Sequence, residues 1–278
     1  MRIDAHQHFW RYSPEEYSWI DDSMRAIRRD FLPADLAPAL ASAQLDGSIA
    51  VQARQSIDET DWLLALANSS PGIKGVVGWV PLAAEGANIR RVLDRYDGQT
   101  RLKGVRHVLQ AEPDAYFSNP GFNTALHEIA RRNLSYDLLV YARQLPAALA
   151  WIDRHPNLRV VVDHIAKPVV DGVPRPEWRA QMRELARRPN VFCKFSGVVT
   201  EAPHWRWSVG QIRPYFETVL EAFGAQRLMF GSDWPVCLVA ADYARWFATV
   251  ESLVQPLSTT ERDAIFGGAA TAFYHLDS

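Results

Sequence analysis

Eight short apolar segments, each followed by an amphipathic stretch, leave few architectures open to this chain. The segments are residues 2–6, 47–53, 75–80, 102–107, 135–140, 159–164, 191–196 and 227–231. Several are continuous apolar runs, such as Leu138-Leu139-Val140 and Val160-Val161-Val162, rather than alternating ones. Such runs suit strands covered on both faces, as in parallel sheets flanked by helices.

Helices are predicted between them. Residues 144–155 space Leu145, Ala148, Leu149 and Ile152 at i, i+3, i+4 and i+7, and residues 209–223 repeat the pattern through Val209, Ile212, Phe216, Val219, Leu220 and Phe223. Asn119-Pro120 supplies a cap and a first-turn proline for a helix ending near Arg132, and Gly224 suits the residue just past a helix end. Residues 36–43, 59–68 and 88–96 predict three more. Alternation of this kind predicts an α/β fold, a (β/α)8 TIM barrel, as a single domain over residues 1–278. A doubly wound open sheet competes, but no G-x-G-x-x-G or G-x-x-x-x-G-K-[ST] follows any strand. No repeat, low-complexity tract or Gly/Ser linker divides the chain.

Composition narrows the function classes. With 48% hydrophobic and 22% charged residues the chain can fill a core. Thirty basic against thirty-two acidic residues give a net charge of −2, which offers no footprint for a nucleic-acid partner. No apolar run approaches the ~18 residues of a bilayer span, so no membrane partner is expected. The start, Met1-Arg2-Ile3-Asp4-Ala5-His6, is too polar for a secretory signal, and the two cysteines, Cys193 and Cys237, read as reduced, buried small hydrophobes. A cytoplasmic location follows as an expectation.

Function is then sought where strands end. Strand one delivers Asp4, His6 and His8, with the two imidazoles on one side. Strand four ends Arg106-His107, strand six Asp163-His164, and strand eight Gly231-Ser232-Asp233-Trp234-Pro235. Any one strand-end histidine is more often a satisfied structural residue. His6, His8, His164 and Asp233 at three strand ends together point to a site. Residues 10–31 and 200–208 are long loops on the same face and are expected to wall or cover it. Of the ten tryptophans, Trp10, Trp79, Trp205, Trp207 and Trp234 fall near strand ends or in loops. Packing is their commoner role, yet Trp10, Trp205 and Trp234 are candidate floors for a carbohydrate ring. A serine nucleophile is disfavoured, since no G-x-S-x-G is present.

This combination resembles the amidohydrolase superfamily, and within it the lactonase branch that holds L-fuconolactonase and L-rhamnonolactonase. The resemblance is carried by Asp4-Ala5-His6-Gln7-His8-Phe9-Trp10, Gln52-Ala53, Lys103-Gly104-Val105-Arg106-His107, Asp163-His164-Ile165-Ala166-Lys167-Pro168, Lys194-Phe195-Ser196-Gly197 and Gly231-Ser232-Asp233-Trp234-Pro235. Residues 265–276 resemble the branch's closing helix. The chain departs from the metal-rich members: strand five reads Tyr136-Asp137-Leu138-Leu139-Val140-Tyr141 without a histidine, and Lys103 opens strand four instead of ending it. A binuclear centre is therefore not expected. Two alternatives stay open: one Zn²⁺ held by His6, His8 and Asp233, or chemistry without a metal.

The resemblance implies a lactonase acting on a small-molecule lactone of a sugar acid. Asp233 would activate water and return the proton to the departing alkoxide, while His6, His8 and His164 would donate to the oxyanion, orient the water or hold a metal. Arg106 is a candidate for binding a substrate hydroxyl or carboxylate, with a rim ion pair as its other reading. Lys167 and Lys194 are expected near the same rim, each a candidate to neutralise Asp163 or another carboxylate. With Arg54 the one weaker second arginine, a neutral polyol ring is favoured. A metal-dependent decarboxylase, a dicarboxylate lactonase and a non-catalytic sugar-binding barrel are the competing readings.

Overall fold

The computed structural model describes residues 1–83 and 88–276. Its strands are β1 (Ile3–Gln7), β2 (Gly47–Val51), β3 (Ile73–Gly78), β4 (Leu102–His107), β5 (Ser135–Leu138), β6 (Arg159–Val162), β7 (Val191–Phe195) and β8 (Leu228–Phe230). They form one parallel sheet in strict chain order. Its two edges meet: Gln7 bridges Trp234, His8 N–H donates to the Trp234 carbonyl at 2.6 Å, and Asp233 N–H donates to the His6 carbonyl at 2.8 Å. The sheet is thus a nearly closed barrel, as the alternation predicts, and not an open doubly wound sheet.

Helices α1 (Pro33–Ser42), α2 (Ile57–Ser69), α3 (Ile89–Asp94), α4 (Pro120–Arg131), α5 (Leu145–Ile152), α6 (Pro176–Ala186), α7 (Val209–Phe223), α8 (Tyr243–Val254), α9 (Thr259–Asp263) and α10 (Ala269–Tyr274) surround it. Their ends follow local chemistry. Asn119 Oδ1 accepts the Phe122 N–H at 3.0 Å ahead of Pro120, and Ser208 and Gln211 cap each other's backbone at the start of α7. Gly224 ends α7 with φ +67°.

Differences from the sequence reading lie at element ends. The segments predicted to reach 140, 164 and 231 stop at Leu138, Val162 and Phe230. After β6 the chain turns sharply, with His164, Ile165, Ala166 and Lys167 all at positive φ. The closing helix is broken in two, a π-turn over Ala264–Gly268 followed by α10. Gly267 lies where any Cβ would overlap the Met1 carbonyl, so a glycine is what lets this segment lie on the start of the chain.

Two apolar layers result. The larger fills the space between sheet and helices. The smaller, inside the barrel, joins Ile3, Ala5, Ile49, Val51, Val77, Val161 and Met229 to Phe273 and Tyr274 of α10, which plug one end. Arg106, Asp137 and Lys194 alternate with Val105, Tyr136, Leu138, Cys193 and Phe195, all of which belong to the outer layer. Period-two alternation therefore turns those three charged side chains inward. Among the described residues no helix is long and apolar enough to cross a membrane, and both cysteines are free and buried.

Candidate active site

β1 loses its regular register between Asp4 and Gln7, and the two-residue spacing of His6 and His8 puts both imidazoles on one side. Asp4 fixes them against the opposite end of the chain. Its Oδ1 accepts N–H bonds from Ser232 at 2.9 Å and His6 at 3.2 Å, and its Oδ2 accepts the Tyr243 hydroxyl at 3.0 Å. Burial, only partly offset by these donors, pushes the Asp4 carboxyl up to about 6.

Three imidazoles converge on one carboxylate oxygen. Asp233 Oδ1 is 3.3 Å from His8 Nε2, 3.8 Å from His6 Nε2 and 3.9 Å from His164 Nε2. His8 is oriented by its Nδ1, 2.8 Å from the Val51 carbonyl, and His164 by its Nδ1, 2.9 Å from Ser196 Oγ. His164 and Asp233 adopt left-handed backbone, φ 53° and 57°, a conformation costly for residues other than glycine and concentrated at functional sites. Gly197, at φ +62°, makes the room: a Cβ there would stand 2.5 Å from His164 Nδ1 and 2.9 Å from Asp233 Oδ2.

The electrostatics follow from this packing. Burial pushes the Asp233 carboxyl up, but His164, His8 and His6 outweigh it and hold the group well below the usual carboxylate range. Burial pulls His164 down to about 4 against the opposing field of Asp233. Burial likewise holds His6 well below its ordinary value, against the attraction of Asp163. At neutral pH Asp233 is ionised, and burial keeps His6 and His164 neutral.

Beneath it lies a set of buried charges. Arg106 Nη1 is 3.0 Å from Asp163 Oδ2, and its Nη2 donates to the Gln52 carbonyl. Lys194 is not at the rim, where the sequence reading puts it. Its inward position on β7 buries it completely, between Asp137 Oδ2 and, at 3.1 Å, Asp163 Oδ1. Tyr274 of α10 donates to Asp137 Oδ2 at 2.8 Å. Lys167 does stand at the rim, 3.3 Å from Glu201 Oε1.

A cavity of about 400 Å³ opens above, with Asp233, His8, His164 and Arg106 among its lining residues. Trp19, Met24, Trp205 and Val236 give it apolar surface, while Gln110, Tyr141, Lys167, Thr200 and Glu201 give it polar surface. Residues 10–31 and 200–208 thus both contribute walls. Trp205 reaches the cavity, but Trp10 and Trp234 do not. Trp10 is fully buried and donates to the Arg29 carbonyl at 2.9 Å, and Trp234 packs edge-on against Phe31 with ring centres 5.1 Å apart. Both fill the space under the first loop, the usual fate of large aromatics. Trp79 and Trp207 are likewise tied into packing, through His107 Nδ1 and the Ala240 carbonyl. Trp19, which the sequence reading passed over, is 40% exposed at the cavity instead.

The donor set fits one divalent ion. His6 Nε2 and His8 Nε2 are 3.3 Å apart, and Asp233 Oδ1 is 3.3 and 3.8 Å from them. Such separations are the edges of a tetrahedron with arms of about 2.1 Å. A second possible set, His6, Asp163 and His164, already has the Lys194 ammonium 3.1 Å from both Asp163 Oδ1 and His6 Nδ1.

Comparison with known proteins identifies the family. The family profile described as amidohydrolase matches residues 3–276. An L-fucono-1,5-lactonase of Burkholderia multivorans is 43% identical over 289 aligned positions, covering 99% of this chain and 96% of that protein. An L-fucono-1,5-lactonase of Burkholderia ambifaria is 38% identical, covering 100% and 96%. The crystal structure of an amidohydrolase from Burkholderia multivorans with bound zinc superposes with a TM-score of 0.94 at 42% identity, over the whole of both chains.

Proposed function

The chain belongs to the amidohydrolase family, and from that premise we propose that it is a lactonase, opening the ring of a sugar-acid lactone by Asp233-activated attack of water. The observation that carries this reading is the convergence of Asp233 Oδ1 with three imidazole nitrogens, 3.3 to 3.9 Å away, at a cavity of a size for one sugar ring. The relatedness to two L-fucono-1,5-lactonases supports it.

Ionised Asp233 accepts a proton from a water held against it while that water adds to the carbonyl carbon. The developing oxyanion needs donors fixed in advance. His164 serves when its Nδ1 accepts the Ser196 hydroxyl at 2.9 Å, which leaves the N–H on the Nε2 that faces the cavity. Protonated Asp233 then passes the proton to the departing ring oxygen, since an alkoxide is a poor leaving group. A divalent ion held by His6, His8 and Asp233 would supply Lewis-acid polarisation of the carbonyl and a more acidic water.

The cations of the cavity favour a neutral polyol. Arg106 is paired with Asp163 and Lys167 with Glu201, so neither is free to meet a second carboxylate. Gln110, Tyr141, Thr200 and Glu201 offer partners for ring hydroxyls, and Trp19 and Trp205 offer flat faces for C–H surfaces. The test is a panel of aldonolactones and dicarboxylic lactones, with ring opening followed by proton release and binding by calorimetry. Turnover of an aldonolactone is expected. Binding without turnover across the panel would favour a sugar-binding barrel instead.

A further inference from the structure

Glu59 is buried in the first turn of α2, three residues after the helix cap Ser56. That spacing ordinarily turns the carboxylate back onto the cap residue's own N–H. Here the Ser56 N–H donates to the Arg54 carbonyl at 3.0 Å, and the Glu59 carboxylate reaches elsewhere with both oxygens. Oε2 accepts the Ala53 and Arg54 N–H groups at 3.0 and 2.9 Å, and Oε1 accepts the Tyr17 hydroxyl at 3.2 Å.

These donors belong to two different walls of the cavity. Ala53 lines it directly, and Gln52 before it offers its carbonyl to Arg106 Nη2. Tyr17 lies in the first long loop and opens the turn that carries Trp19. The Ile20 N–H closes that turn on the Tyr17 carbonyl at 2.9 Å, and the Ile20 carbonyl accepts Arg28 Nη2 at 2.9 Å. Trp19 sits between these two fixed points with its ring at the cavity. Glu59 lies behind both walls and is not itself a lining residue.

A second tie joins the same two segments, Arg54 Nη1 to Glu16 Oε1 at 2.5 Å. Its side chains are partly exposed, and such pairs hold little. The Tyr17–Glu59 bond is buried, so breaking it leaves a polar group without water or partner.

We propose that Glu59 is a positioning residue that fastens the Tyr17–Ile20 turn to the end of β2, and thereby sets the gap between Trp19 and the Ala53 side of the cavity. It governs how closely the sugar ring is held and leaves the proton transfers at Asp233 alone. The kinetic consequence rests on the lactonase reading. The fastening of the turn does not.

The test applies hydrogen exchange and steady-state kinetics to Glu59→Ala, Glu59→Gln, Trp19→Ala and the double variant Glu59→Ala with Trp19→Ala. In Glu59→Ala, peptides over residues 13–24 should exchange at least about tenfold faster, a larger gain than any strand of the barrel shows. KM should rise about tenfold with kcat little changed. Adding Trp19→Ala should then raise KM by less than about twofold more, because the ring is already displaced. In Glu59→Gln the amide oxygen can accept both N–H groups and the amide NH2 can donate to the Tyr17 oxygen, so both readouts should return near wild type. Should Glu59→Ala fail to fold, Tyr17→Phe removes only the fastening hydroxyl and should show the same pattern with KM up about threefold. A folded Glu59→Ala or Tyr17→Phe whose residues 13–24 exchange as in wild type overturns the proposal, as does a KM effect that multiplies in full with that of Trp19→Ala. In the absence of lactone turnover the exchange result still decides whether Glu59 fastens the turn.

Discussion

Asp233 Oδ1 lies 3.3 Å from His8 Nε2, joining the turn after the last strand to the end of the first. The contact exists because the barrel closes there, with the Asp233 and His8 backbone N–H groups each bonded across the seam. Asp4 reinforces it by holding the Ser232 and His6 amides on one carboxylate oxygen. The site is thus built on the seam, where any loosening of the β1–β8 contact separates Asp233 from the imidazoles around it.

The acid limb of the activity should fall near the value that burial gives His164. That group is held at about 4, below its ordinary 6.5, so it stays neutral on acidification until the pH approaches 4. Asp233 remains ionised throughout, since the imidazoles hold it lower still. A profile of kcat/KM against pH should run level from neutrality to about pH 5 and decline near 4. A decline centred near 6.5 would show that this field is not the one the substrate meets.

Gly197→Ala should damage catalysis more than stability. The added methyl would press on His164 Nδ1 and Asp233 Oδ2, at a backbone φ of +62° that alanine adopts reluctantly. The expected results are a loss of about 10²-fold in kcat and a destabilisation of about 1–2 kcal/mol in urea. Activity near wild type would mean that His164 and Asp233 are less tightly placed than their contacts indicate.

Two tryptophans should separate binding from folding. Trp19→Ala removes an exposed face of the cavity, so KM should rise about tenfold with kcat little changed. Trp10→Ala empties a fully buried site and should cost about 3–5 kcal/mol of stability. Steady-state kinetics and denaturant titration on both variants check the assignment. Equal effects on KM would place both rings at the ligand.

Acid should weaken the fold through His155. Burial holds this ring at about 4, with its Nε2 2.7 Å from Asn123 Oδ1. The unfolded chain, with an ordinary value near 6.5, takes up its proton first as the pH falls. Stability from the neutral ring is therefore full above about pH 6.5 and is lost progressively toward pH 4. Urea midpoints measured from pH 7.5 to 4.5 should fall in the wild type and fall less steeply in His155→Gln.

The parts legible in the sequence were those encoded by position along a strand. His6, His8, His164 and Asp233 follow strand ends, and a barrel brings strand ends together whatever the details of its loops. Lys194 and Asp137 were harder to place. The signal was present, because Cys193 and Phe195 flank Lys194 with apolar side chains of opposite parity, so Lys194 must face the barrel interior. Reading strand ends alone set it at the rim. The aromatics were not legible from spacing, since Trp10, Trp19 and Trp205 all lie in loops. Whether such a ring meets cavity or core depends on how a loop folds back, here through the bridge between Trp10 and Phe31. The left-handed turn at His164 to Lys167 had no glycine to announce it, so β6 was read two residues too long.

The role of Asp233 as the proton-transferring carboxylate is tested most directly by Asp233→Asn, which keeps the shape and removes the base. On the aldonolactone that the wild type turns over best, kcat should fall by at least about 10³-fold while KM stays within a few-fold. An asparagine variant retaining a tenth or more of the wild-type kcat would contradict the account.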